Sequence, residues 1–236
     1  MTETVDRKLA DNTIAEKSPR AAEILGPAGA GKSTLARALS RRSNRFQPDI
    51  LLHRKDKIPF FVNNTLLLLP TYLRKYRHSN WFDWREARSM AYLKAALHVL
   101  EKQSADDDRV ILLDHGPIYR LAFLREFGPP ITRSQIYMRW WADLLKQWIE
   151  TLDAIIWLDA PNDILLQRIR FRDQIHSIKG KSEAEAFEYL DSYRLSFEQL
   201  IAESGADGRM KMLRFDTSQT SIEQIVDQVL AHCNLL

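Results

Sequence analysis

Gly26, Gly31, Lys32 and Ser33 stand at the fixed places of the pattern G-x-x-x-x-G-K-[ST], within EILGPAGAGKSTLARAL (Glu23 to Leu39). That spacing does phosphate chemistry. The glycines let the backbone wrap around oxygen atoms with its N–H groups pointing inward, and the start of the following helix adds partial positive charge. Gly26, Pro27, Ala28, Gly29, Ala30, Gly31, Lys32, Ser33 and Thr34 together form the expected cradle. Lys32 can reach the β- and γ-phosphates of a nucleotide. The Ser33 hydroxyl can ligate Mg²⁺, and Thr34 can add an oxygen contact. The loop alone does not say whether the phosphoryl group is transferred, hydrolysed or only sensed.

Two acids fit the same chemistry. Asp114 ends the apolar run VILLD, and Asp159 ends AIIWLD. An acid at the end of such a strand can hold or orient Mg²⁺, and Asp114 is the metal candidate beside Ser33. The bland reading of Asp114 is a cap on the next helix.

Short β-prone runs alternate with helix-period segments, which argues for an α/β fold with a parallel sheet. The expected strands are AAEIL, DILLH, RVILLD, AIIWLDAP and MKMLRFDT. Between them lie KSTLARALSRR, REARSMAYLKAALHVLEKQ, SQIYMRWWADLLKQWIETL and SEAEAFEYLDSYRLSFEQLIAES, and SIEQIVDQVLAHC follows the last strand. Met90, Leu93, Leu97 and Leu100 recur at helical steps, and Ser221 with Gln224 has capping-box spacing. One doubly wound domain over residues 21–236 follows, after a frayed leader over 1–20. The ends of parallel strands share one edge, so the loop, Asp114 and Asp159 are expected to meet there.

Composition narrows the class. The chain has 236 residues, 45% hydrophobic and 28% charged, which suits a globular protein with a sizeable core. A formal charge of +3 without a long basic block favours a mixed-charge surface, and no nucleic-acid partner is expected. The single cysteine, Cys233, forms no internal disulfide and joins no zinc cluster, which fits a reducing cytoplasm. IPFFVNNTLLLLP is too short to span a bilayer and contains Asn63 and Asn64, so no membrane partner is expected.

No Asn is followed by Lys, so the guanine-reading N-K-x-D sequence is absent, and little chain remains for the sensor elements of large remodelling ATPases. GPAGAGKST (Gly26 to Thr34), LLDHGPIY (Leu112 to Tyr119), WLDAPNDILLQRIRFRD (Trp157 to Asp173) and YLDSYRLSFEQL (Tyr189 to Leu200) resemble the P-loop nucleoside and nucleotide kinases, thymidylate kinase in particular. The resemblance implies a three-layer α/β/α P-loop kinase fold with a five-stranded parallel sheet and a helical lid over about 168–182. It implies ATP and Mg²⁺ as cofactors and a small-molecule phosphoryl acceptor. It makes Lys32, Asp114, Arg168 and Arg172 the catalytic candidates. Arg168 and Arg172 are four apart and share a helix face; the bland alternative is a solvated basic face. Arg194 is a weaker candidate that could equally pair with Asp191 or Glu198 on its own helix.

The departures concern the acceptor side. These kinases place an Arg after the acid of the third strand, where this chain has His115, with Arg109 or Arg120 as possible substitutes. They also carry an acid after the second strand; in LLHRKDKIPFF the only acid is Asp56. The region from Ile58 to Met90 is expected to shape the acceptor pocket. It contains Phe60, Phe61, Tyr72, Tyr76, Trp81, Phe82 and Trp84, which can stack on a base or fill the core. Asn63 or Asn64 could read a base edge, and Arg74, Lys75 and Arg77 could bind an acidic acceptor or line a surface helix. Trp140, Trp141 and Trp148 suit core packing or a homodimer. Asp216 to Gln219 are possible contacts to the donor's adenine. The favoured acceptor is a nucleoside or nucleoside monophosphate. The runners-up are another small hydroxylated metabolite and a nucleotide-binding switch or ATPase with no acceptor.

Overall fold

The computed structural model describes residues 21–102, 109–173, 176–203 and 210–232. The expected leader over 1–20 and Cys233 lie outside the described residues. Five strands pair in parallel in the order β2-β3-β1-β4-β5: β1 Ala21–Leu25, β2 Phe46–Pro48, β3 Val110–Asp114, β4 Ala154–Asp159 and β5 Lys211–Asp216. The eight α-helices among the described residues are α1 Lys32–Arg42, α2 Arg54–Thr71, α3 Trp84–Glu101, α4 Pro117–Phe127, α5 Gln135–Thr151, α6 Asn162–Phe171, α7 Glu183–Glu203 and α8 Ile222–His232.

Strand alternation sorts the core into two layers. Ala22, Ile24, Val110, Leu112, Ile156 and Leu158 face α1, α6 and α8, against Leu35, Leu39, Leu165, Ile225 and Val229. Ala21, Leu25, Ile111, Leu113, Ile155 and Trp157 face the other helices, against Leu93, Leu97, Leu121, Trp148 and Phe197. Helix α7 serves both layers, through Ala186 and Leu190 on one side and Tyr193, Phe197 and Leu200 on the other. The three-layer α/β/α reading therefore holds. Trp148 is buried core and Trp141 donates its indole N–H to Leu121 O at 3.1 Å. Ser221 and Gln224 cap α8 reciprocally, at 3.0 and 3.3 Å.

The second strand differs from the expectation. Pairing ends at Pro48 rather than running through DILLH. Asp49 takes a left-handed backbone, φ 62°, donates its N–H to Leu112 O at 2.8 Å, and turns the chain out of the sheet. The apolar run that follows is helix α2. Pro59 and Pro70 lie inside it, and a single π-helical turn, Tyr72–Tyr76, follows. Proline cannot donate to the helical ladder and crowds the turn before it, so an irregular turn beside Pro70 has a local cause.

Candidate active site

The loop from Gly26 to Gly31 joins β1 to α1. Gly26, Gly29 and Gly31 adopt φ of 141°, 88° and 95°, a region that favours glycine. At Gly26 a Cβ would also meet Leu158 O at 2.0 Å, so the loop lies directly on β4. Lys32 opens α1, is buried, and folds back so that Nζ donates to Gly26 O at 2.8 Å and Pro27 O at 3.0 Å. Desolvation pushes its pKa down to about 8, with Arg172 adding to the fall and Asp114 and Glu23 opposing it. A cation held against carbonyls in its own loop is available for the phosphates of an anionic ligand.

Asp114 meets this loop because β1 and β3 pair with Ile24 opposite Asp114. Ser33 Oγ donates to Asp114 Oδ2 at 2.5 Å. Asp114 Oδ1 is buried and has no hydrogen-bond donor among the described residues. A serine hydroxyl and a carboxylate, one oxygen of which is unbonded, form an all-oxygen donor set that suits Mg²⁺.

A feature not read from the sequence lies beneath both. Glu23 occupies a core-facing position in the central strand and is fully buried. Its two carboxyl oxygens accept from the first turn of α4: Ile118 N at 2.8 Å and Tyr119 N at 2.9 Å. Burial pushes its pKa up to about 8, although the two N–H donors and Arg120 pull it down. Gly116 makes the approach possible, since a Cβ there would stand 2.8 Å from Glu23 Cδ. Glu23 thus ties β1 to the turn that carries Asp114 and His115.

His115 has a left-handed backbone, φ 57°, and packs edge-on against Tyr119 with ring centres 4.6 Å apart. Desolvation lowers its pKa despite Asp114, and Lys32 and Arg120 lower it further. The shift favours the neutral ring and weakens the 3.5 Å approach of Nδ1 to Asp114 Oδ1 as an ion pair. Of its two proposed substitutes, Arg109 precedes β3 at the far end of the strand and donates to Gln47 Oε1 at 3.1 Å. Arg120 is at the site. Its guanidinium lies 4.1 Å from the centre of the Tyr92 ring and donates to Ser89 Oγ at 3.3 Å.

Beside Asp114 opens a cleft of about 440 Å³, lined by Asp49, Trp84, Arg85, Arg88, Ser89, Asp114, His115, Tyr119, Arg120 and Phe123. Arg85 lies over Phe123 at 4.1 Å. The acid after the second strand is Asp49, not Asp56. Asp49 Oδ1 accepts from Tyr92 Oη at 2.7 Å and Ile50 N at 2.8 Å, while Asp56 is spent at the start of α2 on His53 N at 2.8 Å. The early end of β2 causes this exchange. The aromatics expected around an acceptor divide: Trp84 lines the cleft, Phe82 is core, and Phe61 and Trp81 enclose a separate small void with the buried Asn64.

The arginines after β4 part company. Arg168 Nη1 donates to Thr217 Oγ1 at 2.8 Å and Nη2 to Thr217 O at 2.9 Å, with Gly29 O at 3.5 Å. It holds the turn after β5 against the phosphate loop. Arg172, at the end of α6, is exposed, and its charge acts on both Lys32 and His176. Lys179 Nζ donates to Arg172 O. Arg194 pairs with Asp191 at 2.6 Å, as one of its two expected options, and also grips Asp159 at 2.8 Å. Asp159 is therefore at the shared edge but neutralised, and Glu198 faces Arg214 instead.

No family model matches the chain. No curated protein matches it in sequence. Its fold is similar to that of a deoxyadenosine kinase from M. mycoides. With dCTP bound, that structure gives a TM-score of 0.51 at 14% identity, covering 92% of this chain and all of that one. With the products dCMP and a flexible dCDP bound, the values are 0.51 and 14%, over 91% and 98% of the two chains. Identity at this level speaks for fold. The chain has the nucleoside-kinase P-loop fold, a five-stranded parallel sheet with helices on both sides.

The buried Glu23 predicts a pH signature. The folded chain keeps a proton there between about pH 4.5 and 8 that the unfolded chain releases, so this group makes stability fall with rising pH across that window. One proton contributes a slope of about 1.4 kcal/mol per pH unit. Urea unfolding midpoints of Glu23→Gln are expected to lack this component. A variant with the parent's pH slope would show that Glu23 is ionised in the folded state.

Proposed function

We propose that this chain is an ATP- and Mg²⁺-dependent phosphotransferase that moves a γ-phosphoryl group to a small-molecule acceptor, a nucleoside or nucleoside monophosphate. The observation that carries the reading is the position of Asp114. It bonds Ser33 of the phosphate loop through one oxygen and lines the neighbouring polar cleft. A donor site and an acceptor cleft that share one carboxylate suit direct transfer between two bound molecules. A sensor has no need of the second cleft. The fold likeness to a deoxyadenosine kinase supports the same class.

The residues fit Mg·ATP. The loop amides and Lys32 would hold the phosphates, and Ser33 with Asp114 would hold the cation. Bound Mg·ATP supplies the transferable phosphoryl group with its charge partly neutralised. The chain's own work is positioning and charge. Lys32 would leave the Gly26 and Pro27 carbonyls for phosphate oxygens, whose negative charge favours its protonated amine. Arg168 fixes the turn Asp216 to Gln219 beside the loop. Arg172 would neutralise charge on the group in flight.

Three arginines, Arg85, Arg88 and Arg120, against two acids, Asp49 and Asp114, give the cleft a positive balance. This favours an acceptor that already carries negative charge, so we favour the monophosphate. A nucleoside or other alcohol is the second reading, favoured by Asp49. Its Oδ2 has no hydrogen bond among the described residues, and it could take a hydroxyl proton.

The test is ADP formation from Mg·ATP across nucleosides, nucleoside monophosphates and simple metabolites, with the product identified by mass. Phosphorylation of one acceptor in step with ADP is expected; slow ADP formation that no acceptor accelerates would sink the proposal. Asp49→Asn then separates the acceptors. It should cost about 10²- to 10⁴-fold in turnover for a hydroxyl acceptor and little for a monophosphate, whose oxygen needs no base. Arg172→Ala should lower kcat by about a hundredfold with ATP affinity retained, whereas Arg168→Ala should mainly weaken ATP binding. Equal effects of the two variants on both parameters would refute this division.

A further inference from the structure

Helix α2 packs on α3 with one face and, among the described residues, leaves the other bare. Its inner face carries Phe61, Asn64 and Leu68, against Phe82, Ala87 and Met90. The outer face carries Ile58, Val62 and Leu66, followed by Leu73 in the π-helical turn, which are 58, 48, 65 and 57% exposed. These positions recur at helical steps and form one apolar stripe about 22 Å long at 1.5 Å per residue. Leu51, 81% exposed, lies just before it. Scattered exposed leucines are ordinary; an aligned stripe on one helix is a docking surface.

The charges say what covers it. Arg54, Lys55 and Lys57 stand at the start of the stripe, and Arg74, Lys75 and Arg77 at its end. None of the six makes an ion pair among the described residues. From Ile50 to Phe82 the only acid is Asp56, which caps α2. A second copy of the chain would bring the same cations, and a two-fold helix pairing of either sense would set basic ends against basic ends. An anionic surface meets both features, with the leucines entering its apolar layer and the long basic side chains reaching the headgroups. No described helix is long and apolar enough to cross a membrane, so the contact is one of lying on the surface.

We propose that the outer face of α2 docks this protein on anionic lipid bilayers. The test is co-sedimentation of the full chain with phosphatidylcholine vesicles, with and without phosphatidylserine, at low and high salt. Binding is expected only with phosphatidylserine and is expected to weaken with salt. Lys55→Glu/Lys57→Glu should lower partitioning by more than about tenfold, and Val62→Asp/Leu66→Asp should abolish it, with melting temperature and ADP formation as in the parent. No binding by the folded parent, or equal binding to both vesicles, would overturn the proposal. So would a dimer in light scattering that Val62→Asp/Leu66→Asp dissolves, since a second copy would then occupy the face.

Discussion

The site depends on one buried carboxyl group. Glu23 stands in the central strand where alternation demands an apolar side chain, and a polar group there costs several kcal/mol unless it is bonded. It is bonded to the first N–H groups of α4, which have no partner within their own helix. The two needs cancel. Because β1 leads directly into the phosphate loop and α4 directly follows Asp114, the same contact fixes the distance between the two halves of the donor site. Gly116 is the steric condition for it, and Pro117 opens the helix where the lost N–H is not missed.

From that anchor the geometry spreads outward. Parallel register places Ile24 opposite Asp114 and Asp159 opposite Asp216, so each loop of the site leaves the sheet at one level. Two arginines then lock the rim from the other side. Arg194 neutralises Asp159 and also reaches Ala160 O at 2.9 Å, while Arg168 ties the turn after β5 to the neighbourhood of Gly29. With those cations committed, the proposed reaction leaves Lys32 and Arg172 for the charge on the donor phosphates, and Arg85, Arg88 and Arg120 for an acceptor in the cleft.

The wrapped loop from Gly26 to Gly31 was legible in the sequence because its backbone needs glycine at fixed places. Asp114 was legible for a related reason: an apolar run that ends on an acid places that acid at the sheet edge. Asp49 was not. Its part depends on where β2 stops, and DILLH has a stronger strand pattern than FQP. Only the left-handed turn at Asp49, stabilised by its own carboxylate on Ile50 N, ends the strand early. Glu23 was hidden because alternation reads an isolated acid in AAEIL as a solvent position. Thr217, the partner of Arg168, and Asp159, the second partner of Arg194, lie 49 and 35 residues away on other elements, and no periodicity along one helix reports them. Helix α2 was obscured by Pro59 and Pro70, which argue locally against the element that α3 nevertheless supports.

In the proposed reaction Ser33 and Asp114 hold the cation of a bound nucleotide. Equilibrium titration of ATP into the parent and Asp114→Asn, each with and without Mg²⁺, tests it most directly. Mg²⁺ is expected to tighten ATP binding to the parent, with this gain lost in Asp114→Asn and Mg²⁺-free affinity retained. An Asp114→Asn chain that keeps the full Mg²⁺ gain would contradict it.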